Sequence, residues 1–135
     1  MQYIKYDEFK FPSPDITLIE ASAGTGKTFS IIILYLRLLI NSGLKKKYKR
    51  SISSKNILIV TFTEASKNEL QKRLYLGITQ LYSACINKKT KVDYIKNIFH
   101  DIQDYILVQK ILKKLKIIQI IYLYSHFMVF LVYIK

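Results

Sequence analysis

The sequence is poor in cysteine. Cys85 is the only one in 135 residues, so no disulfide can form within the chain. A single cysteine fits a protein of the reducing cytoplasm, and we expect Cys85 to pack among helices. Residues 1–10 are mixed and charged. They lack the apolar region of a secretory signal peptide, which also favours a cytoplasmic location.

Acidic side chains are scarce as well. Nine acidic residues face 22 lysines and arginines, which gives a formal net charge of +13. Such an excess favours polyanionic partners such as DNA, RNA, nucleotides or an anionic membrane surface. A second interpretation stays open, because Lys, Ile, Asn, Tyr and Phe are encoded by A- and T-rich codons and base-composition drift can produce the same charge. Half of the residues are hydrophobic, which predicts one domain with a core rather than a disordered chain.

The order of the apolar segments predicts an α/β fold. Residues 16–20 and 57–61 are short apolar runs of the strand type. Residues 27–40 between them are apolar nearly all round, and residues 41–43 (Asn-Ser-Gly) provide a helix stop. Because strand, loop, helix, strand and helix follow in order, we expect a right-handed βαβ unit with parallel strands and flanking helices.

A second long helix is predicted from residue 64 to about residue 86. Gly77 within it weakens the helix by roughly 1 kcal/mol relative to alanine. Residues 87–91 form a break, after which apolar residues again recur at helical spacing. The apolar stripe of the second helix is Leu70, Leu74, Ile78 and Leu81, and the residues after the break are Val92, Ile95, Phe99, Ile102 and Ile106.

The strongest chemical signal lies between the first predicted strand and its helix. Gly24 and Gly26 permit a tight loop whose successive backbone N–H groups can surround phosphate oxygens. Lys27 is placed to reach the β- and γ-phosphates of ATP, and the Thr28 hydroxyl is placed to bind Mg²⁺. The alternative is a glycine-rich turn that precedes Lys-Thr by chance, and the flanking strand and helix argue against it. The loop consists of Ala21, Ser22, Ala23, Gly24, Thr25, Gly26, Lys27 and Thr28, and it matches G-x-x-x-x-G-K-[ST] except at Ala21.

A second motif, residues 61–66, follows the second predicted strand. In a parallel sheet it would lie at the same edge as the phosphate loop. Phe62 either stacks on a nucleobase or packs in the core, and the residues alone leave both open. Thr63 is suited to cap the following helix.

These segments resemble the start of the RecB-type subunits of exonuclease V, which are UvrD-like helicases of superfamily 1. The resemblance rests on residues 18–29, 34–39 and 60–65, followed by Glu69, Leu70 and Arg73. It implies a P-loop NTPase lobe of the RecA-like type, in which Ala21 is usual. It also implies that residues 21–28 bind ATP and Mg²⁺ and that Phe62 and Thr63 contact single-stranded DNA. Ser66 departs from the usual alanine.

The family unwinds broken duplex ends with ATP, degrades DNA and prepares it for recombinational repair, together with RecC- and RecD-like partners. The present sequence has no strand that ends in the Asp-Glu pair for Mg²⁺, no second lobe with arginine fingers and no nuclease domain. We therefore expect a truncated fragment that binds nucleotide but is not catalytically competent alone. Residues 1–110 would be the N-terminal part of the ATP-binding domain, and residues 111–135 an apolar helical tail.

The tail has two interpretations. Residues 117–134 are almost continuously apolar between lysines, which is long enough for a membrane anchor. We favour translation out of frame after a slip in the lysine codons of residues 110–116, because codons for residues 127–130 can be read in another frame as His-Gly-Phe. The alternatives to a helicase fragment are a degenerate non-catalytic remnant and a small membrane-anchored nucleotide binder. A P-loop kinase is disfavoured by residues 61–64.

Two weaker signals carry no site. His100 and His126 are isolated, so a metal site is not expected. The basic stretch at residues 45–50 is interpreted as a solvated loop rather than a DNA-binding patch.

Overall fold

The structure is a computed structural model that describes residues 27–47, 57, 59, 61 and 63–124. The side chains of Lys27 and of residues 118–124 are not described. Several sequence predictions therefore lie outside the described residues: the first strand, residues 21–26 of the phosphate loop, Phe62 and the end of the apolar tail.

The described part of the chain is helical. Its helices are α1 (Lys27–Leu39), α2 (Glu64–Asn87), α3 (Asp93–His100) and α4 (Tyr105–Tyr124), with a short 3₁₀ helix at Asn41–Gly43. The long helix α2 is central and packs against each of the other three, most extensively against α4. The predicted division at residue 110 falls within α4, and it stays a prediction.

The predicted α/β lobe with parallel strands is wrong for this structure. No described residue belongs to a strand or a sheet; Leu44 and Ile102 form an isolated antiparallel bridge. Ile57 and Ile59, in the second predicted strand, are buried without regular secondary structure. A short apolar run indicates that its residues are buried, but it does not show that they pair with another strand. Two strands alone also make a marginal sheet. Packing among helices therefore determines the observed fold.

The predicted first helix is confirmed as α1. It is buried on more than one side, as its apolar circumference predicts, while Phe29 and Ile31 near its start remain about two-fifths exposed (42% and 40%). The helix ends before the predicted stop, where the backbone turns through the 3₁₀ helix towards α4. A Cβ on Gly43 would overlap the Val108 side chain, so glycine allows this close approach.

The predicted second helix is confirmed as α2, and its apolar stripe is buried together with Cys85. The predicted cap is also confirmed, because Thr63 Oγ1 accepts a hydrogen bond from the Ser66 backbone N–H at 3.1 Å. The helix ends at Asn87, and the next residue, Lys88, adopts the left-handed conformation with φ 54°. Gly77 faces α1, where an added Cβ would lie 3.0 Å from Ile32 Cγ2. The missing side chain thus lets the two helices approach.

The apolar spacing after residue 92 continues across a break between two helices. Ile95, Phe99 and Ile102 are buried, but Ile106 is 69% exposed. The break arises because Asp104 accepts a hydrogen bond from the Leu107 backbone N–H at 2.9 Å and so begins a new helix.

Candidate functional site

Two residues of the predicted phosphate loop, Lys27 and Thr28, form the first positions of α1. The N–H groups in the first turn of a helix have no partners within that helix, so they attract anions. The first turn of α1 contains no acidic residue, so no helix carboxylate opposes a bound phosphate there. Thr28 is half-buried. The rest of the loop, residues 21–26, stays a prediction.

Helices α1 and α2 run side by side in the same direction. Phe29 contacts Arg73 near the start of α1, and further along both helices Gly77 faces Ile32. Thr63 lies ten residues before Arg73, whereas Lys27 lies two residues before Phe29. The starts of both helices therefore lie on the same side of the Phe29–Arg73 contact.

At the start of α2 the side chain of Thr63 is already engaged in capping. Its hydroxyl donates to Ser66 Oγ at 2.8 Å in addition to accepting from the Ser66 backbone N–H. Thr61 Oγ1 donates to the Thr63 backbone oxygen at 3.3 Å, which braces the same turn. Ser66, the departure from the family pattern, thus contributes a hydroxyl to the cap. The DNA-contact role of Phe62 and Thr63 stays a prediction.

The sequence analysis missed an aromatic and ionic cluster beside the start of α1. The Arg73 guanidinium carbon lies 5.3 Å from the centre of the Phe29 ring. Arg73 Nε and Nη2 both donate to Glu69 Oε1, at 3.0 Å and 2.7 Å. Phe29 also contacts Tyr94 of α3, with the ring centres 5.1 Å apart. The spacing of four residues between Glu69 and Arg73 could have indicated their ion pair. The contacts of Phe29 with the other helices could not be predicted, because they join residues far apart in the sequence.

Tyr94 links this cluster to α2 again. Its hydroxyl donates to Gln80 Oε1, and burial raises the pKa of the Tyr94 phenol. The phenol therefore stays protonated near neutral pH and acts as a donor.

A buried ion pair lies further along α1. Arg37 is fully buried, and its Nη1 lies 3.4 Å from Asp101 Oδ2. Arg37 Nη2 donates to the Lys46 backbone oxygen at 3.2 Å, and the Lys46 backbone N–H donates to the same Asp101 oxygen at 3.4 Å. The pair fastens the segment after α1 to the end of α3. Its position and burial indicate a structural role.

The remaining candidates show little chemistry. Cys85 is buried as predicted, and burial raises the pKa of its thiol to about 11, which keeps it protonated at neutral pH. Lys45, Lys46 and Lys47 have exposed side chains. Across the described ranges, no cluster of three or more His, Cys, Asp or Glu residues could hold a metal ion. None of the helices described is long and apolar enough to cross a membrane.

Comparison with known proteins gives the family. Residues 10–128 match the UvrD/REP helicase N-terminal domain. The chain is 50% identical over 109 residues to the RecBCD enzyme subunit RecB of Buchnera aphidicola subsp. Acyrthosiphon pisum, covering 78% of this chain and 9% of that relative. It is 41% identical over 98 residues to the RecB subunit of Escherichia coli, covering 73% of this chain and 8% of that relative.

The chain spans about a tenth or less of the length of these curated relatives. The domain match nevertheless covers most of the chain, and the identities to RecB subunits are high. The chain therefore belongs to the UvrD/REP helicase N-terminal domain family, within which it is a RecB-like N-terminal region.

Proposed function

We propose that this chain is the ATP-binding N-terminal segment of a RecB-like, ATP-dependent DNA helicase and exonuclease. The observation that carries the proposal is the place of Lys27 and Thr28 at the start of α1, in a chain that matches the family over residues 10–128. The parallel arrangement of α1 and α2 supports it, because the starts of both helices lie at one end of the molecule.

MgATP fits the residue types at this end. The proposed contacts are the backbone N–H groups of residues 21–28 and the Lys27 ammonium for the phosphates, and the Thr28 hydroxyl for Mg²⁺. A lysine and a helix whose first turn holds no acidic residue suit an anion, and a threonine oxygen suits a hard cation. When bound, the magnesium ion would neutralise part of the phosphate charge.

The proposed partners follow from the relatives named RecBCD enzyme subunit RecB. We propose that the assembled protein acts on single-stranded DNA and duplex ends, with RecC- and RecD-like subunits, in the cytoplasm and in the repair of double-strand breaks. Phe62 and Thr63 are the proposed DNA contacts. For these 135 residues alone we propose nucleotide binding, and we assign hydrolysis to the assembled protein.

Calorimetric titration of the 135-residue chain with MgATP tests the proposal. We expect Lys27→Ala to weaken MgATP binding at least tenfold without lowering the melting temperature, because the lysine contributes charge to the phosphates. Lys96→Ala is the matched control, since Lys96 is an exposed lysine that pairs with Asp93 on α3. Equal affinities for wild type and Lys27→Ala would overturn the proposal.

A further inference from the structure

We propose that Arg73 is a positioning residue that fixes the first turn of α1 through the Phe29 ring and so presents Lys27 to the phosphates of ATP. The inference rests on the proposed function. It goes beyond that function because it proposes that a side chain on α2 fixes the orientation of the α1 turn that contains Lys27.

The first turn of a helix needs an external restraint. Its N–H groups lack partners within the helix, so helix ends open more readily than helix centres. Phe29 lies two residues after Lys27 and is 42% exposed, so burial alone does not hold it in place. The ring instead contacts both the Arg73 guanidinium and the Tyr94 ring, at 5.3 Å and 5.1 Å. These contacts fasten the turn that carries Lys27 to α2 and α3.

The guanidinium is itself held in a fixed orientation. Two of its nitrogens donate to the same Glu69 oxygen, one helical turn earlier on α2. A planar guanidinium oriented in this way can pack over an aromatic ring, and a lysine ammonium matches only its charge. Because Glu69 already balances the charge of Arg73, the contact with Phe29 supports an orienting role rather than a direct contact with phosphate.

The test compares MgATP affinity and melting temperature in variants of the whole chain. Arg73→Met keeps an apolar stem and removes the guanidinium, and we expect it to weaken MgATP binding about two- to fivefold, the worth of one cation–π contact. Arg73→Lys should recover part of that loss because it restores a cation over the ring. Lys96→Met, which breaks the exposed pair with Asp93, is the control and should bind MgATP like wild type.

A cycle with Phe29→Leu separates positioning from general stability. If Arg73 acts through the ring, the double variant Arg73→Met/Phe29→Leu binds MgATP no more weakly than the weaker single variant. Additive losses would overturn the inference, as would an Arg73→Met affinity equal to that of wild type. Should Arg73→Met fail to fold, Phe29→Leu and Arg73→Lys still test the contact. If wild type and Lys27→Ala bind MgATP equally, the proposed function itself has failed. If Lys27→Ala binds more weakly but the Arg73 and Phe29 variants bind like wild type, only this inference has failed.

Discussion

Arg37 is the clearest case in which one residue stabilises a distant connection. Its side chain is fully buried, and its guanidinium contacts both Asp101 and the Lys46 backbone oxygen. Removal of one partner from a buried pair leaves the other charge without compensation, whereas replacing both with apolar groups is often nearly neutral. Removing either residue alone should therefore cost more than replacing both together.

This argument predicts the behaviour of two variants. Asp101→Ala should lower the free energy of unfolding by about 3 kcal/mol, because it removes the carboxylate that lies 3.4 Å from the buried Arg37 guanidinium. Arg37→Met/Asp101→Ala should recover most of that loss. Urea unfolding followed by circular dichroism measures both values. A double variant at least as unstable as Asp101→Ala alone would contradict the view that the buried Arg37 charge causes the loss.

At the scale of elements, two glycines permit close approaches between helices. Gly43 lies where the 3₁₀ helix meets α4, and an added Cβ there would overlap Val108 Cγ2 and lie 3.3 Å from the Asp104 backbone oxygen. Gly77 is less crowded, with 3.0 Å from an added Cβ to the nearest methyl of Ile32. At Gly43 the added Cβ would therefore overlap one neighbour and crowd a second, whereas at Gly77 the nearest neighbour needs to move by only a few tenths of an ångström.

The two glycines should therefore respond differently to alanine. Gly43→Ala should destabilise the chain by about 1–3 kcal/mol through overpacking. Gly77→Ala should have a smaller effect. Alanine is favoured over glycine within a helix by about 1 kcal/mol, and this gain offsets the cost of a slight shift of Ile32. Thermal unfolding of the two variants makes the comparison. If Gly77→Ala costs as much as Gly43→Ala, the α1–α2 contact is more rigid than this argument assumes.

The same elements show what the sequence could predict. Helical periodicity located α1 and α2, and local chemistry identified Thr63 as a cap. The prediction of a second strand was wrong because the apolar side chains of Ile57 and Ile59 indicate burial but not which backbone they would hydrogen-bond to. The Phe29–Arg73 contact and the Arg37–Asp101 pair join residues 44 and 64 positions apart. Such contacts depend on how the helices pack, which no short sequence window encodes.

At the scale of the whole molecule, the packing of α4 on α2 is the most extensive contact between helices. Gln109 Nε2 donates to the Cys85 backbone oxygen at 3.3 Å, and Leu112 lies one turn further along α4, fully buried. Cys85 therefore reports on this interface. Its thiol pKa is raised to about 11 in the fold, from an ordinary value of 9.0, so folding suppresses the thiolate.

Truncation of Leu112 should expose that thiol more often. Leu112→Ala leaves a cavity between α4 and the core, which costs about 2–5 kcal/mol, a large share of the stability of a typical domain. At pH 8 we expect alkylation of Cys85 by iodoacetamide to accelerate at least tenfold, because the variant opens more often and each opening exposes the thiol to the reagent. Ile106→Ala is the matched control on the same helix, since Ile106 is 69% exposed. Equal alkylation rates in the two variants would mean that Cys85 becomes accessible without separation of α4 from α2, and that this interface does not hold the molecule together.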